Sequence, residues 1–263
     1  MKYTDLLASI QREGVTRLRV TVPGTWMQGR TIYGGLSAAL CYEAAKPLSG
    51  DKPLRSAQIA FVGPAGGDLH ADAKLLREGR NTAYVSAELF GESGIGSHAT
   101  FVFGTHRDSA INHWNTPELP DEAGTPEDKI NFFPSGVGPE FTQNFDMKYA
   151  FGTLPMSGSS KADIGIWMRH KDRSAPDDMT ALLAIGDTPP PAALALLSGP
   201  ARISSMNWSI DVVAETLDTE DGWWFARHTA ETLRNGYSAQ NMTLWNRAGK
   251  PILLGRQTIA VFD

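Results

Sequence analysis

Two distant stretches of the chain carry one pattern of apolar and polar positions. In "LLREGRNTAYVSAELFGESGIGSHATFVF" (75–103) and "ETLRNGYSAQNMTLWNRAGKPILLGRQTIAVF" (231–262) a Leu-Arg-x-Gly step precedes an alternating run, a turn, and a second alternating run that ends in Val-Phe. Period-two alternation around a glycine turn predicts a β-hairpin, with turns at Glu92-Ser93-Gly94 and Arg247-Ala248-Gly249. Arg77 and Gly79 then correspond to Arg234 and Gly236.

The repeat extends upstream. "SAQIAFVGP" (56–64) and "SMNWSIDVV" (205–213) each predict one further strand. Before them stand segments of small and apolar residues, "GGLSAALCYEAAKP" (34–47) and "PPPAALALLSGP" (189–200), which read as helices stopped by Pro47 and by Gly199-Pro200. An extended segment holding Trp-Met precedes each helix, at Trp26 and Trp167. Each copy is thus an extended segment, a helix and three or four antiparallel strands, an α+β unit in which the helix covers a sheet. A helix so rich in Ala and Leu needs burial on nearly every side, so the sheet must curl around it. The chain divides into an N-terminal unit (1–110), a Pro-, Gly- and acid-rich linker (111–140) and a C-terminal unit (141–263).

Composition narrows the function. The net charge of −5 and the absence of a basic stripe with interleaved aromatics argue against nucleic acid. The start lacks a basic-then-apolar leader and no apolar run approaches the ~18 residues of a membrane span, so a cytoplasmic protein without a membrane partner is expected. One cysteine, Cys41, excludes internal disulfides, and the six histidines show no His-x-x-x-His spacing, so no metal site is expected. No Gly-x-Ser-x-Gly elbow is present.

The arrangement resembles the hotdog fold, and two copies in one chain resemble the acyl-CoA thioesterase II (TesB-like) double hotdog family. "GRTIYGGLSAAL" is similar to that family's Gly-Arg, aromatic, Gly-Gly start of the first helix, and "LLREGRNTAYVSAEL" to its strand, Arg-x-Gly turn and strand. The resemblance implies a tandem hotdog, each half a curved antiparallel sheet around a central helix. It also implies hydrolysis of an acyl-CoA to the free acid and CoA, without a metal or bound cofactor, and allows a homodimer of double hotdogs. The family's Asp, Thr or Ser, and Gln that hold the hydrolytic water map onto Asp187, Ser205 (in "SMNWS") and Gln257 (in "GRQTIAVF"). Serine stands for threonine and keeps the hydroxyl. Asn207-Trp208 replaces the Asp-His pair that often follows, which makes Trp208 a substrate-pocket residue.

Asp187 also reads as a helix cap, but Pro189, Pro190 and Pro191 carry no N–H for it to accept from. Alternation puts Gln257, Ile259 and Val261 on one face, so Gln257 is expected to point inward. The oxyanion donor is sought at the Gln257 amide, at the N–H of Gly186 or Asp187, or at Gly34-Gly35 if the other half brings them close. The first half has no acid at its helix start and is read as structural. Two other readings stand beside hydrolysis: a non-catalytic acyl-binding hotdog, and an enoyl-thioester hydratase, whose usual helix histidine is missing from both segments. Trp223, Trp224 and Trp245 are expected between sheet and helix or on a dimer face.

Overall fold

Asn235 and Gly236 both take positive φ (53° and 76°). That is the backbone of a two-residue type I′ turn, whose twist matches the strands it joins. It links two strands of a sheet that a computed structural model of the chain describes over residues 1–134 and 137–262. In the first half the order is α1 (Tyr3–Ala8), β1 (Gln11–Glu13), β2 (Arg17–Val22), β3 (Met27–Gln28), β4 (Thr31–Ile32), α2 (Gly34–Ala45), β5 (Leu54–Phe61), β6 (Gly67–Glu78), β7 (Thr82–Gly91) and β8 (Gly94–Gly104). The second half runs β9 (Ile130–Asn131), β10 (Phe145–Gly152), β11 (Asp163–His170), α3 (Met179–Gly186), β12 (Arg202–Val212), β13 (Trp224–Arg234), β14 (Tyr237–Asn246) and β15 (Pro251–Phe262).

Apart from the β3–β4 ribbon, these strands form one antiparallel sheet in the order β1-β2-β6-β7-β8-β5-β12-β15-β14-β13-β11-β10-β9. The order reads nearly the same from either end. The halves therefore join edge to edge where β5 pairs with β12, from Ser56 opposite Asp211 to Ala60 opposite Asn207. That pairing satisfies two strand edges that would otherwise be open to other chains.

Each half wraps a helix that is buried on nearly every side. In α2 only Gly34 and Tyr42 escape full burial, and every residue of α3 is buried. The helices lie against each other and run in opposite directions. A Cβ on Gly35, the second residue of α2, would come within 2.4 Å of the Ala184 carbonyl oxygen and 3.1 Å of that of Leu183. At the other end Thr180 Oγ1, in the first turn of α3, donates to Glu43 Oε1 at 2.6 Å.

Three expectations need correction. The second helix is Met179–Gly186, upstream of the prolines, and the run after them forms only a 3-10 turn over Ala192–Leu196. The helix starts where Asp178 accepts from the Ala181 N–H at 2.8 Å, a capped start in "DDMTALLAIG". Proline bars helical conformation in the residue before it, so the prolines mark the helix's end. Second, Trp26 lies in a 3-10 turn just before β3 and not in an extended segment, whereas Trp167 lies within β11 as expected. Third, Trp223 and Trp245 pack with Trp167 and Phe225 around Ala123 of the interhalf segment, while Trp224 joins the main core. Indole N–H groups of Trp167 and Trp245 donate to Ala123 O (2.9 Å) and Pro117 O (3.0 Å), fastening that segment to the sheet. Among the described residues no helix is long and apolar enough to cross a membrane.

The Gly35 contact gives a test of the helix crossing. Gly35→Ala must push two backbone carbonyls aside and should cost about 1–3 kcal/mol, the usual range for overpacking a core. Thermal melts should show a loss of several degrees (~2–4 °C per kcal/mol). Gly199→Ala, whose Cβ would meet nothing within 4 Å, serves as the neutral control.

Candidate active site

Asp187 is the residue that ends α3. With φ −103° and ψ 14° it leaves the helix, and its carboxylate turns toward the start of the other helix. A Cβ on Gly34 would sit 2.4 Å from Asp187 Oδ2 and 2.8 Å from Phe61 Cζ, so only glycine lets the acid approach α2 this closely. The first turn of α2 offers unsatisfied N–H groups and the positive end of its dipole, and its N-cap, Tyr33, makes no side-chain cap. Asp187 is therefore a capping acid after all, but toward the helix of the other half.

Gln257 Nε2 donates to Asp187 Oδ1 at 2.5 Å. The glutamine is 2% exposed on the inner face of β15, as its alternation with Ile259 predicts. Burial pushes the Asp187 carboxyl up to about 7, while the Gln257 amide and the Gly35 N–H pull in the opposite direction. The acid is partly buried, against a helix end and Phe61, and Arg12 and Lys46 are spent elsewhere, on Glu43. Desolvation without a cation is the condition that raises a carboxyl into the range of a general base.

Ser205 reaches the same face through a bulge. In β12 the register slips between Ser205, opposite Ile259, and Asn207, opposite Thr258, leaving Met206 as the extra residue. Regular alternation would put Ser205 and Trp208 on opposite faces; the bulge puts both on the side of Gln257, which lies opposite Trp208. Ser205 makes no side-chain hydrogen bond to Asp187 or Gln257 among the described contacts, so the structure pairs the acid with the amide and places the hydroxyl along their face. Trp208 is fully buried, its ring 3.1 Å from where a Gly186 Cβ would stand and its Nε1 3.0 Å from that of Gly255. It packs against Gly186, next to Asp187, and its indole N–H has no hydrogen-bond partner among the described residues.

The network extends further than the sequence suggested. Gln257 Oε1 accepts from Gln240 Nε2 at 2.8 Å, and Gln240 Oε1 accepts from the Ala192 N–H at 3.0 Å. His228 Nδ1 lies 3.3 Å from Pro190 O and 3.5 Å from Gln240 Nε2. Burial holds the His228 imidazole down at about 4, so it is neutral at ordinary pH. A signal for these residues was present: Gln240 alternates with Met242 and Leu244, and His228 with Ala226 and Trp224, which is the pattern that marked Gln257.

The first half lacks this apparatus. At the matching level of its sheet Ala57 stands opposite Phe101, Ile59 opposite Ala99, and Ala87 opposite Ala99. It does hold a buried acid, Glu43, related to Asp187 by the approximate two-fold of the helix pair. That carboxylate is paired with Arg12 (2.7 Å), Lys46 and Thr180. Clefts of about 240, 500 and 530 Å³ lie at the start of α3, under the interhalf segment and beside β2; none of the three is lined by Asp187.

Comparison with known proteins gives the family. The acyl-CoA thioesterase N-terminal domain matches residues 22–104 and the acyl-CoA thioesterase C-terminal domain residues 115–261. A search of curated proteins found no match. Among solved structures, a hot dog protein of unknown function from Alicyclobacillus acidocaldarius is 20% identical over 100% of this chain and 99% of its own, with a TM-score of 0.84. A putative thioesterase II from Thermobifida fusca is 18% identical over 100% and 98%, also at 0.84. An acyl-CoA thioesterase II from Mycobacterium marinum is 15% identical over 98% of each chain, at 0.75.

The raised acid makes a prediction about stability. Its folded pKa of about 7 exceeds the ~3.9 of an unfolded aspartate. Between those values the folded protein keeps a proton that the unfolded chain has lost, so stability falls as pH rises through the window. Asp187→Asn has no such group. Melting curves from pH 4 to pH 8 should show the variant gaining steadily on the wild type; a constant difference would contradict the raised acid. The two domain matches, which together span both halves, place the chain in the acyl-CoA thioesterase family, a family of thioester-hydrolysing enzymes.

Proposed function

We propose that the chain hydrolyses an acyl-CoA to a free carboxylic acid and CoA at Asp187, with no metal or bound cofactor. The observation that carries this reading is a carboxyl raised to about 7, held by the Gln257 amide and turned toward the start of α2, where Tyr33 makes no side-chain cap. A general base works best when its pKa lies near the operating pH.

In the proposed step Asp187 takes a proton from water as the water oxygen adds to the thioester carbonyl carbon. Gln257 fixes the acid, and Ser205, on the same face, supplies a hydroxyl to orient the water. The Gly34 N–H at the start of α2 meets the developing oxyanion, since helix starts favour negative charge. As the adduct collapses the C–S bond breaks, and the sulfur leaves with the proton that Asp187 returns. Trp208 backs the site, so that water enters from the substrate side only. The first half serves as scaffold and contributes the helix start.

The test is thiol release from a panel of acyl-CoAs. Activity should rise with pH and reach half its plateau near 7, and Asp187→Asn should lose roughly 10²–10⁴-fold in kcat, the range for a general base. No thiol from any substrate would overturn the reaction. Full activity in Asp187→Asn would overturn the choice of base. Loss of the conjugated double bond from a 2-enoyl-CoA without thiol release would mean a hydratase instead.

A further inference from the structure

An amide side chain has two ends of nearly equal shape, one accepting and one donating, so its orientation is set by its partners. Turned the wrong way, Gln257 would present its oxygen to the Asp187 carboxylate and hold nothing. Gln240 prevents that turn, because its Nε2 donates to Gln257 Oε1 at 2.8 Å and leaves Gln257 Nε2 for Asp187. Gln240 faces the same ambiguity. It is resolved by the Ala192 N–H, which donates to Gln240 Oε1 at 3.0 Å. Ala192 is the first residue after three that have no N–H at all, Pro189, Pro190 and Pro191. The loop therefore brings one backbone donor to this place and no competitor, and Thr188 spends its own N–H on Ile185 O. All four side-chain and backbone partners sit in the buried interior or at its edge, where a half-made chain of this kind is costly.

We propose that Gln240 is a positioning residue for hydrolysis: the Ala192 N–H after the triple proline sets the Gln240 amide, which sets the Gln257 amide, which fixes the Asp187 carboxylate. The proposal deepens the reading of Asp187 as the base and rests on it. It gives the three prolines a task, to offer a carbonyl to His228 and no donor until Ala192. No proton moves along the chain; it transmits orientation only.

The test uses Gln240→Met, which keeps length and burial but neither accepts nor donates strongly, with Gln240→Leu as a second variant should the first fold poorly. In the folded variant kcat should fall about tenfold, the worth of one mis-set hydrogen bond, with KM changed less than twofold. In a Gln257→Leu background the same substitution should add almost nothing, because there is no amide left to orient. A second readout does not depend on turnover: carbon NMR of labelled aspartate, assigned by the signal lost in Asp187→Asn, should show the Asp187 titration moved to higher pH in Gln240→Met as a donor is lost. A tenfold loss undiminished in Gln257→Leu, or a folded variant whose Asp187 titrates as in the wild type, overturns the proposal. If wild type releases no thiol, the hydrolase reading fails by itself, and the titration still decides whether Gln240 orients Gln257.

Discussion

The placement of the buried acid Asp187 depends on how closely two buried helices approach at Gly35. With no side chain there, α2 rests on the Ala184 and Leu183 carbonyls of α3. The residue that follows α3, Asp187, is then carried to the start of α2. A carboxylate so placed loses water on most sides and gains a helix dipole and one amide in return. Loss of water wins, since the carboxyl ends near 7 rather than below 4. Had α2 begun with any residue bearing a Cβ at position 34, the acid could not have come within reach, because that atom would occupy the place of Asp187 Oδ2.

The approximate two-fold makes a comparison within one chain. Glu43 and Asp187 each sit near the far end of a helix and face the start of its neighbour. Glu43 has Arg12, Lys46 and the Thr180 hydroxyl around it, so its charge is matched and its oxygens are occupied. Asp187 has an amide and a backbone N–H. The sheets behind them differ accordingly, apolar at Ala57, Ile59, Ala87, Ala99 and Phe101 in one half, and polar at Gln240 and Gln257 in the other. One architecture thus holds an ion-paired acid in one copy and an acid without a cation partner in the other, and the residues on inward-facing strand positions differ between the two.

The bulge at Met206 and the triple proline are local irregularities with consequences at a distance. The bulge turns Ser205 to the face of Gln257. The prolines stop α3, so that Asp187 leaves it, and strip the following loop of donors until Ala192. Both are places where the chain departs from regular structure next to the acid, a common association of irregular backbone with functional sites.

Much of this was legible in the residues alone. Period-two alternation and glycine turns determined the strands, the repeat and the inward aim of Gln257, because a strand's faces are fixed by local geometry whatever it packs against. The same rule would have found Gln240 and His228. The extent of the second helix was not legible, since proline is compatible with a helix's first turn and with its end; its N-terminal cap is Asp178. What only the tertiary structure decided is the partner of Asp187. That partner lies some 150 residues away in sequence, at Gly34 and Gly35, and its nearness depends on the β5–β12 seam and the helix crossing. The pKa of the acid was decided there too, because desolvation is a property of the packed surroundings and not of the aspartate or its neighbours in sequence.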